Sequence, residues 1–346
     1  MSEILSKSCR KCSLALIFML ILQFASAQDF SNLQTMIKNN GKNLSKEYTI
    51  VVQKGGKNIF LAETDELKFK TPNPIGYASA WLSAALVMTF IDQNKLSLDD
   101  PISKYIPDLK KHMKGYITVK NCLTQTTGLD IDASGVMKIA QKNKFQNLDE
   151  EVEFFSSKKI IVDNPGEAFS YSSVGLNMLG KVLEIISKKS FDRLAAERLF
   201  RPLSMRTATF YNEEGNAPNP TTGASCSAYD YINFMQMLAN KGMFNGKRIL
   251  SEDAVNTLLT IHFPNIRVRF TPENARNYQY AMGCWVEDKD ENDKGTIYSS
   301  FGPLGSVAWL DLKKKYFGTV IIGDGQNLQK TAMIDQIRKI IDQTID

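Results

Sequence analysis

Serine and lysine side chains three positions apart could provide a nucleophile and its base. Such residues share one face of a helix, where the amine can take the proton of the hydroxyl. From residue 28 onwards, Ser156 and Lys159 are the one pair with this spacing. They lie at a charged helix end ahead of the sequence PGEAF (165–169), so we interpret the spacing as coincidental.

The histidines and cysteines have no spacing that is typical of a metal site. Neither His112 nor His262 has a second metal ligand at a suitable distance in the sequence. Two of the five cysteines precede residue 28, and the other three form no C-x-x-C pair. We therefore predict no disulfide framework, zinc site or other cofactor. The three remaining cysteines are expected to be small core residues whose role stays open: Cys122, Cys226 and Cys284.

Length and charge narrow the class of protein. The chain has 346 residues, of which 43% are apolar, and this is enough for a sizeable core. Its formal net charge is +5, but beyond residue 27 no run of lysine and arginine is longer than Lys313–Lys315. A nucleic-acid partner is therefore not expected, and the sequence does not predict an oligomeric state.

The first 27 residues are typical of a cleavable secretion signal. Lys7, Arg10 and Lys11 precede an apolar run over residues 14–24, and an A-x-A cleavage site ends at Ala27. This run is shorter than the ~20 apolar residues that span a bilayer. We predict cleavage after Ala27, a secreted or periplasmic location, and no stable membrane span after cleavage. An uncleaved anchor is the alternative.

Strand patterns occur near both ends of the chain. The segment YTIVVQKGGKNIFLAE (48–63) predicts two strands around a turn at Gly55-Gly56. Similar patterns return in three later segments, 280–289, 295–312 and 316–325. An amphipathic helix is predicted over 327–345. The sheet is therefore expected to be built from both ends of the chain.

Between these strands the sequence is mainly helical. Apolar residues after Gly76 recur at helical spacing, and no Gly or Pro follows until Pro101, which predicts a buried helix. The apolar residues of that helix are Trp81, Leu82, Ala85, Leu86, Met88, Phe90 and Ile91. Further helices are predicted over 32–39, 149–157, 175–187 and 191–200.

NKLSLDDPISKYIP (94–107) and ITVKNCLTQTTGL (117–129) lie at and after the end of this buried helix. They carry a resemblance to the serine β-lactamase, D-alanyl-D-alanine peptidase and esterase family, most closely its class C-like branch. The resemblance continues in order through residues 165–205, 224–250 and 280–285.

The resemblance implies an α/β (α+β) fold of the β-lactamase/transpeptidase type. This fold has an antiparallel sheet flanked by helices, with an inserted, mainly helical subdomain. We expect one domain over residues 28–346, with its sheet part over about 45–75 and 250–346 and its helical part over about 76–249.

The family's first motif, S-x-x-K, opens the buried helix, and both of its functional residues are replaced here. Counting back from Asn94, the serine position falls on Tyr77 and the lysine position on Ala80. Alanine cannot titrate, and a phenol has a pKa near 10. A shift of register does not restore the motif, because Ser79 and Ser83 are followed three residues later by leucines.

The second motif, Y-x-N, is half present. Tyr171 matches the tyrosine that acts as base or proton relay in the family, and Ser173 stands at the asparagine position. Tyr171 could equally be a packed aromatic residue. Gln125 stands where the family has a histidine, and Gln125 to Gly128 could equally form a capped turn.

The third motif, K-T-G or H-x-G, is expected at FGPLGS (301–306). There Pro303 takes the position of the cation or histidine, Gly305 is retained, and Ser306 stands where the family has an oxyanion-hole N–H. Proline has no charge and no N–H to donate.

Three functions remain open. Losing one member of a nucleophile–base unit costs serine hydrolases about a million-fold in rate, so we expect a degenerate homologue that binds a small-molecule, peptide or glycan ligand. Its pocket would include Tyr77, Gln125, Tyr171, Ser173, Pro303 and Ser306. The alternative is an active hydrolase, such as an esterase, an amidase or a β-lactamase-like enzyme, that uses a non-standard nucleophile or substrate-assisted chemistry. Its polar site would be formed by Tyr171, Ser299, Ser300 and Ser306. The third is a purely structural or interaction module.

Overall fold

The computed structural model describes residues 28–131, 145–211, 215–301, 306–323 and 328–345. The predicted signal segment and the expected third-motif residues Pro303 and Gly305 lie outside the described residues. Within the residues that the structure describes, no helix is both long and apolar enough to cross a membrane.

The strands of the described residues form one seven-stranded sheet and three two-stranded ladders. In chain order they are β1 (Tyr48–Lys54), β2 (Lys57–Glu63), β3 (Asn73–Pro74), β4 (Ala168–Ser170), β5 (Ser225–Cys226), β6 (Met243–Phe244), β7 (Lys247–Arg248), β8 (Arg267–Phe270), β9 (Gln279–Tyr280), β10 (Trp285–Lys289), β11 (Gly295–Ser300), β12 (Val307–Asp311) and β13 (Tyr316–Ile322). The large sheet is antiparallel, in the order β2-β1-β13-β12-β11-β10-β9. Strands from both ends of the chain therefore lie side by side, as predicted.

The predicted β1–β2 hairpin is confirmed. Its turn consists of Gly55 and Gly56, with φ of 59° and 76°. Glycine adopts this left-handed conformation without a steric penalty, which is why a Gly-Gly pair fits between two twisted strands.

The helices are α1 (Ser31–Leu44), α2 (Ser79–Ile91), α3 (Asp108–Lys111), α4 (Val119–Leu123), α5 (Leu148–Lys158), α6 (Val174–Ser187), α7 (Phe191–Ala195), α8 (Ala228–Ala239), α9 (Glu252–Leu259) and α10 (Leu328–Thr344). The predicted helices over 149–157, 175–187 and 327–345 are confirmed as α5, α6 and α10. The helix predicted over 191–200 is α7, continued by a π-helical turn.

Helices cover both faces of the large sheet. Side chains of β1 alternate between the faces, so Ile50 and Val52 pack with α1 and α10, while Val51 belongs to the core on the opposite face. Helix α8 packs against β1 and β13 on that opposite face. The result is a layered fold with the sheet at its centre.

Helix α2 is buried all round. Every residue from Ser79 to Phe90 is buried, and helices α6 and α9 pack against it. A helix that is apolar on all sides belongs in the interior of a protein. The predicted buried helix is therefore confirmed, and its N-terminal end carries the first-motif positions.

The segment YAMGCW was expected to be one strand, but it is interrupted. Strand β9 ends at Tyr280 and β10 begins at Trp285, with Gly283 between them at a φ of 79°. A Cβ atom on Gly283 would lie 2.6 Å from the carbonyl oxygen of Ala80. The strand breaks because the chain passes directly against α2 at this point.

Candidate functional site

Tyr77 lies at the point where the chain enters α2. A 3₁₀ turn over Gly76–Ala78 precedes the helix, and the side chain of Tyr77 is only 1% exposed. The nearby hydroxyl of Ser79 donates to the carbonyl of Gly76 and accepts the N–H of Ala224 at 2.9 Å. Ser79 is therefore committed to the local backbone and does not replace the missing nucleophile.

The phenol of Tyr77 is in an environment that opposes ionisation. Its hydroxyl is buried and has no hydrogen-bond partner among the described residues. Burial raises the pKa of Tyr77 to about 12, because the phenolate would lose its hydration. Ala80, one turn later, is also buried and supplies no cation.

Tyr171 is brought next to Tyr77. It follows β4 directly, its N–H donates to the carbonyl of Phe270 at 3.1 Å, and its ring centroid is 5.4 Å from that of Tyr77. Burial, and then the neighbouring Tyr280 and Tyr77, raise the pKa of Tyr171 well above its usual value. A general base at neutral pH needs the opposite shift.

Further aromatic rings surround this pair. The ring of Tyr171 lies 4.9 Å from Trp285 and 5.8 Å from Tyr280, measured between centroids. We call the group the aromatic cluster, and it consists of Tyr77, Phe169, Tyr171, Tyr280, Trp285 and Phe301. These rings occupy the space between the start of α2, β4 and the strands β9 to β11. The sequence prediction missed the cluster because its members come from distant segments.

The sheet side of the site is formed by serines. Ser300, the last residue of β11, donates to the carbonyl of Tyr77 at 3.2 Å. The hydroxyls of Ser299 and Ser306 are buried without a hydrogen-bond partner among the described residues. Ser300 therefore makes the contact between the sheet and the start of α2, whereas Pro303 lies outside the described part of the chain.

Gln125 and Ser173 support the second-motif segment. Gln125 has a φ of 60°, and its side-chain oxygen accepts the N–H of Ser172 at 3.1 Å. Its amide nitrogen is buried without a hydrogen-bond partner among the described residues, and the same is true of the Tyr280 hydroxyl. Ser173 is buried at the start of α6, where its carbonyl accepts the N–H of Asn177 at 3.0 Å.

A buried carboxyl behind Ser173 was not anticipated from the sequence. Glu151 accepts a hydrogen bond from the Asn177 amide at 2.9 Å, and Thr221 donates to the Asn177 oxygen at 3.0 Å and to the Ser173 carbonyl at 3.3 Å. Burial raises the pKa of Glu151 to about 7. The sequence does not reveal this buried carboxyl, because α5 carries four acidic residues close together and Glu151 is the one of them that faces inward.

The Ser156 and Lys159 pair does not form a catalytic unit. The hydroxyl of Ser156 donates to the carbonyl of Glu153 at 3.0 Å, and the amine of Lys159 donates to the carbonyl of Asp130 at 2.9 Å. The buried amine of Lys114 donates to the backbone carbonyl of Ser156, not to its hydroxyl. Each group is held by backbone oxygens.

The three cysteines Cys122, Cys226 and Cys284 are buried free thiols, and burial raises the pKa of each. A raised pKa keeps them as unreactive thiols, in agreement with small core residues. In the described ranges, no three side chains of the types His, Cys, Asp and Glu are grouped so that they could hold a metal ion.

The sequence profile of the Beta-lactamase family matches residues 50–338 of this chain. Among curated proteins, "Protein flp" of Staphylococcus aureus (strain MW2) is 28% identical over 127 residues, which are 36% of this chain and 25% of that protein. The "Uncharacterized protein MT1414" of Mycobacterium tuberculosis (strain CDC 1551 / Oshkosh) is 24% identical over 284 residues, 66% of this chain and 69% of that protein. The chain thus matches about a quarter of the length of the first relative.

Solved structures with similar folds cover most of the chain. A putative beta-lactamase from Bacteroides dorei DSM 17855 has a TM-score of 0.79 and 24% identity, and covers 90% of this chain and 98% of its own. EstCE1, described as a hydrolase with promiscuous acyltransferase activity, has a TM-score of 0.74 and 16% identity, with 91% and 99% covered. The octameric penicillin-binding protein homologue from Pyrococcus abyssi has a TM-score of 0.69 and 18% identity, with 86% and 74% covered. At these identities the likeness establishes the β-lactamase/transpeptidase-like fold.

Proposed function

Because this chain belongs to the Beta-lactamase family, we propose that it is a member that no longer performs serine acyl transfer and that acts by binding a ligand. The observation that carries this proposal is the burial of Tyr77 at the position of the nucleophile. Its phenol has a pKa of about 12 and has no base beside it among the described residues.

The cost of these replacements supports a binding role. Removing one member of a nucleophile–base unit lowers the rate of well-studied serine hydrolases about a million-fold. Here Tyr77 and Ala80 replace both members of the pair, and the pKa of Tyr171 is raised. The site keeps its aromatic side chains, and aromatic rings can bind apolar and ring-shaped groups without catalysing a reaction.

Covalent probes test the loss of acyl transfer directly. The protein is incubated with a fluorescent penicillin and, separately, with a fluorophosphonate, and its intact mass is measured. We expect no adduct in the folded protein beyond the level seen in a heat-denatured sample. Stoichiometric labelling of one residue would contradict the proposal and would identify the nucleophile.

A second candidate function is hydrolysis by another serine. The unpartnered hydroxyls of Ser299 and Ser306 favour it, because a buried hydroxyl without a hydrogen bond can serve a substrate instead. Both residues are at most 2% exposed, so a substrate would need the site to open. Turnover of p-nitrophenyl acetate that disappears in Ser299→Ala or Ser306→Ala would support this candidate. Turnover that survives both variants and Tyr171→Phe would eliminate it.

We also propose that the protein is exported. The charged, apolar and A-x-A segments that end at Ala27 support this location. A chain recovered from the periplasm or the medium should have the mass of a protein that begins at Gln28. Recovery of the full-length chain in the cytoplasm alone would refute export.

A further inference from the structure

Residues 263–279 lie beside the aromatic cluster, since the carbonyl of Phe270 accepts the N–H of Tyr171 and the ring of Tyr278 is 6.1 Å from that of Phe301, and we call them the lid segment. Ala275 is the one residue of this segment that is buried, whereas Val268 at its centre is 57% exposed. Segments with few buried residues open at a lower free energy than the core of a protein. The lid segment is therefore the part of the site that can move most readily.

Two arginines connect the lid segment to Asp163. Arg267 and Arg269, which point the same way along β8, pair with the two carboxylate oxygens of Asp163. The carboxylate is only 10% exposed, although the arginines are 58% and 40% exposed. Ion pairs between partly exposed groups are weak, so they can bias a local equilibrium without fixing it.

A short strand pairing completes the attachment. Strand β8 pairs in parallel with β4, and the N–H of Tyr171 donates to the carbonyl of Phe270 at 3.1 Å. Opening of the lid segment therefore breaks a three-residue ladder and uncovers the backbone that positions Tyr171.

A cavity of about 250 Å³ lies between the lid segment, which supplies most of its walls, and Thr124, Thr126, Phe169 and Tyr280. Its walls include four aromatic side chains, Phe169, Phe263, Tyr278 and Tyr280. Thr124, Thr126 and Thr271 add hydroxyls, and Asn277 and Gln279 add amides. Of the described residues that line the cavity, Arg276 alone is charged, and it is exposed at the rim.

Two polar atoms of the lid segment are unsatisfied in the closed arrangement. Thr271 Oγ1 and Gln279 Oε1 are buried and have no hydrogen-bond partner in the described part of the protein. A buried polar group without a partner destabilises the folded state, and this cost disappears when water or a ligand reaches the group. These two unpartnered atoms therefore favour opening of the lid segment, and they lie next to a cavity that can hold a ligand.

We propose that residues 263–279 form a lid, latched by Asp163, over a pocket that binds a neutral ligand carrying hydroxyl or amide groups. The ligand is neutral because Arg276, the one charged residue among the described lining residues, is exposed at the rim, so an ion buried deeper in the cavity would have no counter-charge beside it. It carries hydroxyl or amide groups because Thr271 and Gln279 present matching groups. This inference rests on the proposed binding role and specifies its ligand class and its gate.

A thiol placed at Thr271 reports on lid opening. Thr271→Cys is suitable because the threonine hydroxyl has no partner to lose among the described residues, and because the thiol keeps a weak hydrogen-bond donor and acceptor for the ligand at this position. The variant is labelled with a thiol reagent under native conditions, and each labelled site is quantified by peptide mass spectrometry. The buried thiols of Cys122 and Cys284 in the same sample report on global unfolding.

The latch is tested by adding Asp163→Asn to this reporter. We expect labelling at position 271 to exceed labelling of Cys122, and to become roughly three- to tenfold faster with Asp163→Asn or at high salt. Asp100→Asn is the matched control, because Asp100 is a carboxylate of similar exposure, 18%, that pairs with Lys104 elsewhere. The lid would be overturned if the thiol at position 271 were labelled no faster than Cys122. It would also be overturned if Asp163→Asn and Asp100→Asn changed the labelling rate at position 271 equally.

The ligand class is tested by protection of the same thiol. N-acetylglucosamine is the probe, because one ring carries both hydroxyls and an amide, and N-acetylglucosamine 6-phosphate is its charged counterpart. We expect the neutral sugar at millimolar concentration to slow labelling at position 271, and the phosphate to have little effect. Equal protection by both, or protection by neither, would overturn the assigned ligand class.

A second variant separates direct contact from general stabilisation. Gln279→Leu should abolish protection by the neutral sugar, whereas Gln53→Leu should retain it. Gln53 also has a buried, unpartnered side-chain oxygen, but it lies on β1, towards the opposite edge of the sheet from β9. Loss of protection in both variants would count against a contact at Gln279. Covalent labelling by penicillin measures acyl transfer, independently of thiol labelling at position 271. The proposed loss of acyl transfer and the proposed lid can therefore fail separately.

Discussion

The rings of Tyr77 and Tyr171 lie in contact, with centroids 5.4 Å apart and planes tilted by 36°. In the family reaction these two positions would exchange a proton. Here both side chains are buried phenols whose pKa values are raised by burial, and the neighbouring Tyr77 raises the pKa of Tyr171 further. The two rings therefore pack against each other as neutral phenols.

Tyr77→Phe should leave stability unchanged or raise it by up to about 1 kcal/mol. The variant keeps the ring contacts and removes a buried hydroxyl that has no partner among the described residues. The free energy of unfolding, measured in urea, checks the prediction.

Tyr231→Phe is the matched control for this prediction. Tyr231 is equally buried, but its hydroxyl donates to the carbonyl of Ala78 at 2.8 Å, so its loss should cost about 1 kcal/mol. If Tyr77→Phe is the more damaging of the two, the phenol of Tyr77 has a hydrogen-bonding role that the described contacts do not contain.

Glu151 should make the protein more stable in mild acid. Its pKa rises from the usual 4.5 to about 7 on folding, so the folded state holds the proton more tightly. This contribution is fully present below pH 4.5 and is lost as the pH rises towards 7, by on the order of 3 kcal/mol. Urea unfolding at a series of pH values measures the slope.

Glu151→Gln separates this contribution from other acidic groups. The amide keeps the size of the side chain and cannot ionise, so the slope between pH 4.5 and 7 should flatten and stability at pH 8 should rise. An unchanged slope would show that another group controls the pH dependence.

Much of the fold could be predicted because its signals are local. The Gly55-Gly56 turn, the apolar spacing after Gly76 and the amphipathic pattern before Ile345 each reflect backbone geometry within one segment. The pairing of β4 with β8 was missed. The sequence RVRF (267–270) alternates like a strand, but its partner lies far away in the chain.

The site was less predictable, because it depends on contacts between distant segments. The replacements at Tyr77 and Ala80 follow from the resemblance alone, whereas the raised pKa values depend on burial. Ser300 and Glu151 belong to the site because of the direction in which their side chains point. Ser300 reaches the carbonyl of Tyr77, and Glu151 turns inward from an acidic helix to accept a hydrogen bond from Asn177. Side-chain direction follows from packing, which the sequence pattern does not specify.

Gly283→Ala should destabilise the protein strongly. The residue has a φ of 79°, and its new Cβ would lie 2.6 Å from the carbonyl oxygen of Ala80 and 2.7 Å from the Cβ of Ala84. The left-handed conformation costs about 1–2 kcal/mol for alanine, and the overlap with α2 adds about 1–3 kcal/mol.

Gly246→Ala isolates the conformational part of this cost. Gly246 has a similar φ of 75°, but no atom lies within 4 Å of its added Cβ. Equal losses of unfolding free energy in the two variants would mean that α2 does not press against the β9–β10 break.

Ala80→Lys tests whether the first-motif position can still hold a cation. The new amine would be buried without a counter-charge among the described residues, so its pKa should fall by several units. Stability should then be low at neutral pH and should increase as the pH rises towards 10, because the neutral amine is tolerated. Ala80→Met has a side chain of similar length without charge, and its stability should not depend on pH in this range. Equal stability of Ala80→Lys and Ala80→Met at pH 7 would mean that water or an acidic group reaches this position. A charged lysine would then be tolerated there, as the family reaction requires.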